Sequence, residues 1–191
     1  MAPAADHTDL AGLFLAKAEG ERAEADLLDP ASAEAGASGP ASAAVLLLKG
    51  GPSAAATPSA GPLSVAETEA ATLALGALGL PAQDVAVVST RAAGTDAATK
   101  AGRARLALAV EACDPAWVIA LDPEAACDAA LVLGLDALPA GEPRSVDGRV
   151  WLAVEGLEAS LEDPALKRRV WAQLKTLAVE PPAGSPAPRK A

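Results

Sequence analysis

Apolar and polar positions alternate with two different periods along this chain. Over residues 8–28, Leu10, Leu13, Phe14 and Lys17 recur at i, i+3, i+4 and i+7. That spacing predicts an amphipathic helix, with the lysine stem lying along its apolar face. Residues 29–43 begin with Asp29-Pro30 and are rich in Ala, Ser, Gly and Pro, the composition of a flexible linker. A helix tethered in this way must fold back onto the rest of the chain or meet another protein.

From residue 44 the pattern changes to short apolar runs separated by helical stretches. Residues 44–48 read as a buried strand that stops at Gly50-Gly51-Pro52. Ser64 and Glu67 have capping-box spacing and open a helix that Gly79 and Pro81 close. Residues 84–89, with three valines, predict a second strand, residues 97–112 a helix, and residues 117–121 a third strand. Asp122-Pro123 caps a helix that ends at Gly134, and Asp163-Pro164 starts the last one, which runs to about Val179. Asp147-Gly148 is a turn signal before a strand over residues 150–154. Strands alternating with helices predict an α/β fold, a three-layer sandwich around a short, mainly parallel sheet. The expected organisation is an N-terminal amphipathic segment (1–28), a linker (29–43), an α/β domain (44–179) and a disordered Pro-rich tail (180–191).

Composition narrows the function. Of 191 residues, 51% are hydrophobic but only 2% aromatic, so alanine supplies much of the apolar count and the core is thin. The one histidine, His7, stands outside the domain, which leaves a core Ser-His-Asp or Cys-His site without its base. Two cysteines and one histidine cannot complete a zinc or iron–sulfur ligand set, and no cofactor is implied. Cys113 and Cys127 both lie in segments that read as buried, as free thiols suited to a reducing cytoplasm. The net charge of −10 argues against direct binding to nucleic acid, and no apolar run approaches the ~20 residues of a membrane span. Charge is uneven: residues 1–40 carry −6, residues 41–110 carry +1 and residues 111–191 carry −5.

Several groupings invite a chemical reading and support a plainer one. Lys49-Gly-Gly-Pro52 stands where α/β proteins bind phosphate, yet it lacks the glycine spacing of a phosphate cradle and reads as a strand-end loop. Lys167-Arg168-Arg169 reads as a solvated helix face. Glu155, Glu158, Glu162 and Asp163 have no second cluster or base to make them an acid–base site. Trp117, Trp151 and Trp171 read as core or interface anchors.

The order of segments over residues 44–177 resembles the uracil-DNA glycosylase superfamily, especially its bacterial family-4 type. The strand ending in Lys49-Gly-Gly-Pro52 takes the place of that family's Gly-Glu-Ala-Pro-Gly motif. The run from Leu161 through Asp163-Pro164, Lys167-Arg168 and Trp171 to Leu174 is similar to the segment that follows its catalytic histidine motif. The resemblance implies the fold and argues against the activity. Gly50 stands at the acidic position and Gly156 at the His-Pro position, and the cluster cysteines have no counterparts. Base excision needs a polarised leaving group and a positioned water or charge, which glycine does not supply.

Lost motif residues, a shortened first loop and a separate N-terminal segment also resemble the psi-subunit family of bacterial DNA polymerase III. That resemblance implies a non-enzymatic adaptor. Its N-terminal segment would hold the clamp loader through Leu10, Leu13 and Phe14, and its folded domain would hold a chi-like subunit. The alternatives are a degenerate glycosylase-like protein that still binds DNA, and a divergent glycosylase that uses Glu155.

Overall fold

The computed structural model describes residues 7–34, 36–56 and 61–178, with side chains from residue 12 onward. The expected tail at 180–191 and the side chain of Leu10 lie outside the described residues. In chain order the elements are α1 (His7–Leu28), α2 (Pro30–Glu34), β1 (Ala37–Ser38), β2 (Val45–Lys49), α3 (Val65–Ala77), β3 (Val85–Ser89) and α4 (Lys100–Cys113). There follow β4 (Trp117–Ala120), α5 (Pro123–Leu133), β5 (Arg144–Val146), β6 (Arg149–Ala153), α6 (Leu157–Ser160), α7 (Pro164–Leu174) and a 3₁₀ turn, Lys175–Ala178.

Local chemistry sets most of these boundaries. Ser64 and Glu67 close a reciprocal capping box on α3. Thr99, Asp122 and Asp163 accept main-chain N–H bonds at the starts of α4, α5 and α7. Asp147 and Gly148 both have positive φ, 50° and 78°, as the tight turn between β5 and β6 requires.

The fold is α/β, with one mixed sheet in the order β1-β3-β2-β4-β6-β5. The inner strands β3, β2, β4 and β6 are parallel, and the short edge strands β1 and β5 are antiparallel. Alternation along the strands sends Leu46, Leu48, Val118 and Trp151 to one face, against α4 and α5. It sends Val45, Leu47, Ile119 and Leu152 to the other, where Leu75 of α3 and Val170 and Leu174 of α7 cover them.

The sequence and the structure part at the N-terminus. Residues 29–43, expected as a flexible linker, carry α2 and β1. Asp29 accepts from the Ser32 N–H (3.2 Å) and Oγ (2.9 Å), β1 pairs with β3, and Arg22 donates to the Pro40 carbonyl at 3.1 Å. The small residues that look like linker composition are what fit here, with Ala41 and Ala43 buried.

Helix α1 docks on α4, through small residues rather than through Leu13 or Phe14. Ala18 and Ala25, seven residues apart, are its buried positions among the described residues. Beside them Asp26 accepts from Nε of the buried Arg105 at 2.9 Å. Leu13 and Phe14 stay 61% and 69% exposed. Ala25→Leu is accordingly expected to cost about 1–3 kcal/mol by overpacking. Amide hydrogen exchange should then quicken in α1 before it does in the sheet.

Cys113 is buried and donates to the Ala43 carbonyl, and burial pushes its thiol above the ordinary range. Cys127, expected to be buried, is exposed instead. Helix α5 turns Ala125, Ala126, Ala129 and Ala130 inward, which leaves position 127 on its outer side. Trp117 and Trp151 are core residues, whereas Trp171 lies partly in solvent. Among the described residues no helix is long and apolar enough to cross a membrane.

Candidate functional site

The chain leaves β2 through α3 to β3 on one side and returns through α4 to β4 on the other. Strand order therefore reverses at β2/β4, and the crevice beyond the carboxyl ends of those strands is where open α/β sheets place ligands. The residues there are Lys49 at the end of β2 and Gly50 after it, Asp122 after β4 and Gly156 after β6.

This crevice is filled by the protein's own side chains. Lys49 is 4% exposed, and its Nζ lies 3.1 Å from Glu67, 2.8 Å from Glu158 and 3.6 Å from Asp122. Glu67, 0% exposed, accepts from Lys49, from Ser53 Oγ, and from the Ser64 N–H and Oγ at 2.9 and 2.8 Å. Asp122 accepts from the Gly50 N–H at 3.0 Å and from the Ala125 N–H at 2.8 Å.

Each group titrates as its neighbours dictate. Burial opposes the charged Lys49 most strongly, but the bond to Glu158 and the field of Glu67 and Asp122 outweigh it and lift the ammonium above its ordinary 10.5. Burial also opposes ionised Glu67, and the bonds from Ser53 and Ser64 with the Lys49 charge bring it below 4.5. For Asp122 burial prevails over its hydrogen bonds and raises the carboxyl above 3.8.

A second buried network adjoins the first. The Arg91 guanidinium forks onto Asp128 through Nε (2.7 Å) and Nη2 (3.0 Å), and Thr90 Oγ1 donates to the same carboxylate at 2.6 Å. The Thr90 and Arg91 N–H groups donate to the Lys49 and Gly50 carbonyls, both at 2.8 Å. The loop after β3 is thus tied across the end of β2 to α5.

Gly50, which the resemblance sets against an acidic position, has no room for a side chain. A Cβ there would lie 2.5 Å from Glu124 Cβ and 2.8 Å from Asp122 Oδ1. Gly156 differs: its φ of 153° strains any residue with a Cβ, but the nearest atom is 3.9 Å away. The two glycines border the same crevice without facing a common open space.

The acidic residues after β6 do not gather into one site. Glu155 accepts from Arg169 (2.8 Å) and Gln173 (2.9 Å), Glu158 holds Lys49, and Asp163 caps α7. Among the described residues no group of His, Cys, Asp and Glu side chains is placed to hold a metal ion. Leu13 and Phe14 are side by side and exposed on α1, across the sheet from α3 and α7.

Reading Lys49 as part of a plain strand-end loop missed the centre of the buried network. The signal was available: position 49 continues the inward alternation of Val45 and Leu47, so its side chain enters the α3 face of the core. No known family model matches the chain, and no curated protein is similar to it.

Proposed function

We propose that this chain is a non-catalytic adaptor of the bacterial replication machinery, with a glycosylase-like fold and a psi-like role. Its α1 would engage a clamp loader through Leu10, Leu13 and Phe14, and its folded domain would engage a chi-like subunit. The filled crevice carries the reading. Glu67 and Asp122, which border the topological switch point, are occupied as helix caps and as partners of Lys49, so neither is free to polarise a water. Two further features support it. The four inner strands β3-β2-β4-β6 are parallel, which is compatible with the short, mainly parallel sheet expected. Leu13 and Phe14 stay exposed on a helix that is anchored further along by Ala18 and Ala25, which suits a segment presented to another protein.

The test is affinity purification of the tagged full chain from its native host, beside a Leu13→Asp, Phe14→Asp variant. Both positions are exposed, so the fold should persist. Clamp-loader subunits should accompany the wild type and fall at least about tenfold in the variant, while a chi-like protein remains with both. Recovery of neither protein, or salt-sensitive binding to single- or double-stranded DNA in their place, would move the reading to a degenerate DNA-binding relative.

A further inference from the structure

The groove between α3 and α7 lies on the opposite side of the sheet from α1 and has no part in the filled crevice. Its volume is about 590 Å³. Leu73 of α3 and Trp171 of α7 form its walls, and Ala70, Leu157 and Val170 lie beneath them.

The sequence of α3 is that of a helix covered on its outside. A surface helix normally turns its charges to water. The outward side of α3 carries Val65, Ala66, Leu73 and Ala77 with the single charge of Glu69, and Leu73 is 75% exposed. Its exposed Thr68 and Thr72 donate their hydroxyl protons to main-chain carbonyls one turn back, at 2.9 and 2.8 Å.

The α7 wall adds charge of a particular sign. Lys167 and Arg168 line the groove, are exposed, and make no ion pair among the described residues. Most other basic groups are compensated: Lys49, Arg91, Arg105, Arg149 and the adjacent Arg169 all lie against carboxylates. In a chain of net charge −10, two cations without an ion pair among the described residues thus sit on the rim of an apolar groove whose α3 side carries Glu69. Lys175, also unpaired among the described residues, follows Arg168 and Trp171 at helical spacing.

We propose that this groove docks an acidic amphipathic helix from a partner protein. Apolar residues of that helix at i, i+3 or i+4, and i+7 would cover Leu73 and Trp171. Its carboxylates would face Lys167 and Arg168, which fix orientation and register more than they add affinity. The 13 residues of α3 span about 20 Å, so a helix of three to four turns suffices. The inference deepens the adaptor reading by naming the docking face of the folded domain, although the argument for the groove does not depend on it.

The experiment places a photo-crosslinking side chain at position 73 of the full chain in its native host, with position 147 on the β5–β6 turn as the control. The segment caught at position 73 should come from another protein, show helical apolar spacing and carry an excess of Asp and Glu. A synthetic peptide of that segment should bind the purified full chain, and Lys167→Glu with Arg168→Glu should weaken it at least about tenfold. A peptide with its acids changed to lysine should recover binding to that variant. Crosslinking only to a second copy of this chain, to nucleic acid or to a segment without acidic excess overturns the proposal, as does a yield no higher than at position 147. Leu13→Asp with Phe14→Asp should leave the crosslink unchanged. Its loss in an otherwise intact adaptor sinks the groove alone, whereas an acidic helix from a protein outside replication sustains the groove and sinks the adaptor.

Discussion

Replacing Lys49 with methionine should remove about 3–5 kcal/mol of folding stability, a large part of what a domain of this size has. The methionine stem fills much of the same space, so the loss is electrostatic. Glu67 is fully buried, and its hydrogen bonds come from Ser53 and Ser64, which carry no charge. Without the ammonium, a buried carboxylate is left uncompensated beside the buried Asp122 and the more exposed Glu158. Lys49→Met combined with Glu67→Gln should therefore recover part of the loss, because it removes the stranded charge as well as its partner. Urea unfolding of the three proteins measures both effects. Equal stability of Lys49→Met and wild type would mean that water or rearrangement relieves the cluster.

The pH dependence of the same comparison has a definite sign. Glu67 titrates below its ordinary 4.5 when folded, so its stabilisation is fully present above that value and is lost as pH falls through the lower folded one. Lys49 titrates above 10.5, so its share is present below that value and is lost as pH rises through the folded one. Asp122 runs the other way: burial raises it above 3.8, so ionising it costs stability as pH rises through the raised value. The gap between wild type and Lys49→Met should therefore be widest near neutral pH and narrow below pH 4.5, where protonation of Glu67 relieves the variant.

Features written in a few adjacent residues were legible in the sequence. Ser64 with Glu67, Asp122 with Pro123, Asp163 with Pro164, and Asp147 with Gly148 each fix their own backbone through their own side chains, and each stands where it was expected. Elements ordered by distant partners were not legible. Strand β1 has two residues and exists because β3 offers it an edge, while residues 29–43 have the same Ala, Ser and Gly content whether free or packed. Helix α1 misled for a related reason. Periodicity selects the face with the largest apolar side chains, yet close approach of two helices favours small ones, and Ala18 and Ala25 make the contact. At the site, Arg91 and Asp128 are 37 positions apart, and nothing local couples them. The resemblance pointed to Gly50 and Gly156, but only the packing separates a closed position from an open one.

That difference between the glycines gives the second large effect. Gly50→Asp should cost more than about 4 kcal/mol or prevent folding, whereas Gly156→His should cost about 1–3 kcal/mol. At position 50 a Cβ meets Glu124 Cβ and Asp122 Oδ1, both at the start of α5. Helix α5 cannot withdraw without breaking the Asp122 bonds to the Gly50 and Ala125 N–H groups, and loss of a cap alone costs about 1 kcal/mol. The new carboxylate would also enter beside Asp122, which burial already drives toward its neutral form. At position 156 the penalty is confined to a backbone angle, since the space is open. Thermal unfolding separates the two variants, and release of uracil from a labelled oligonucleotide is the companion assay, with none expected from either. A Gly50→Asp protein with wild-type stability that released uracil would make the crevice a dormant active site. The expected outcome makes it structural: the same carboxylates that close the end of the sheet also hold α3 and α5 in place, so opening it would require dismantling the caps on which the fold depends.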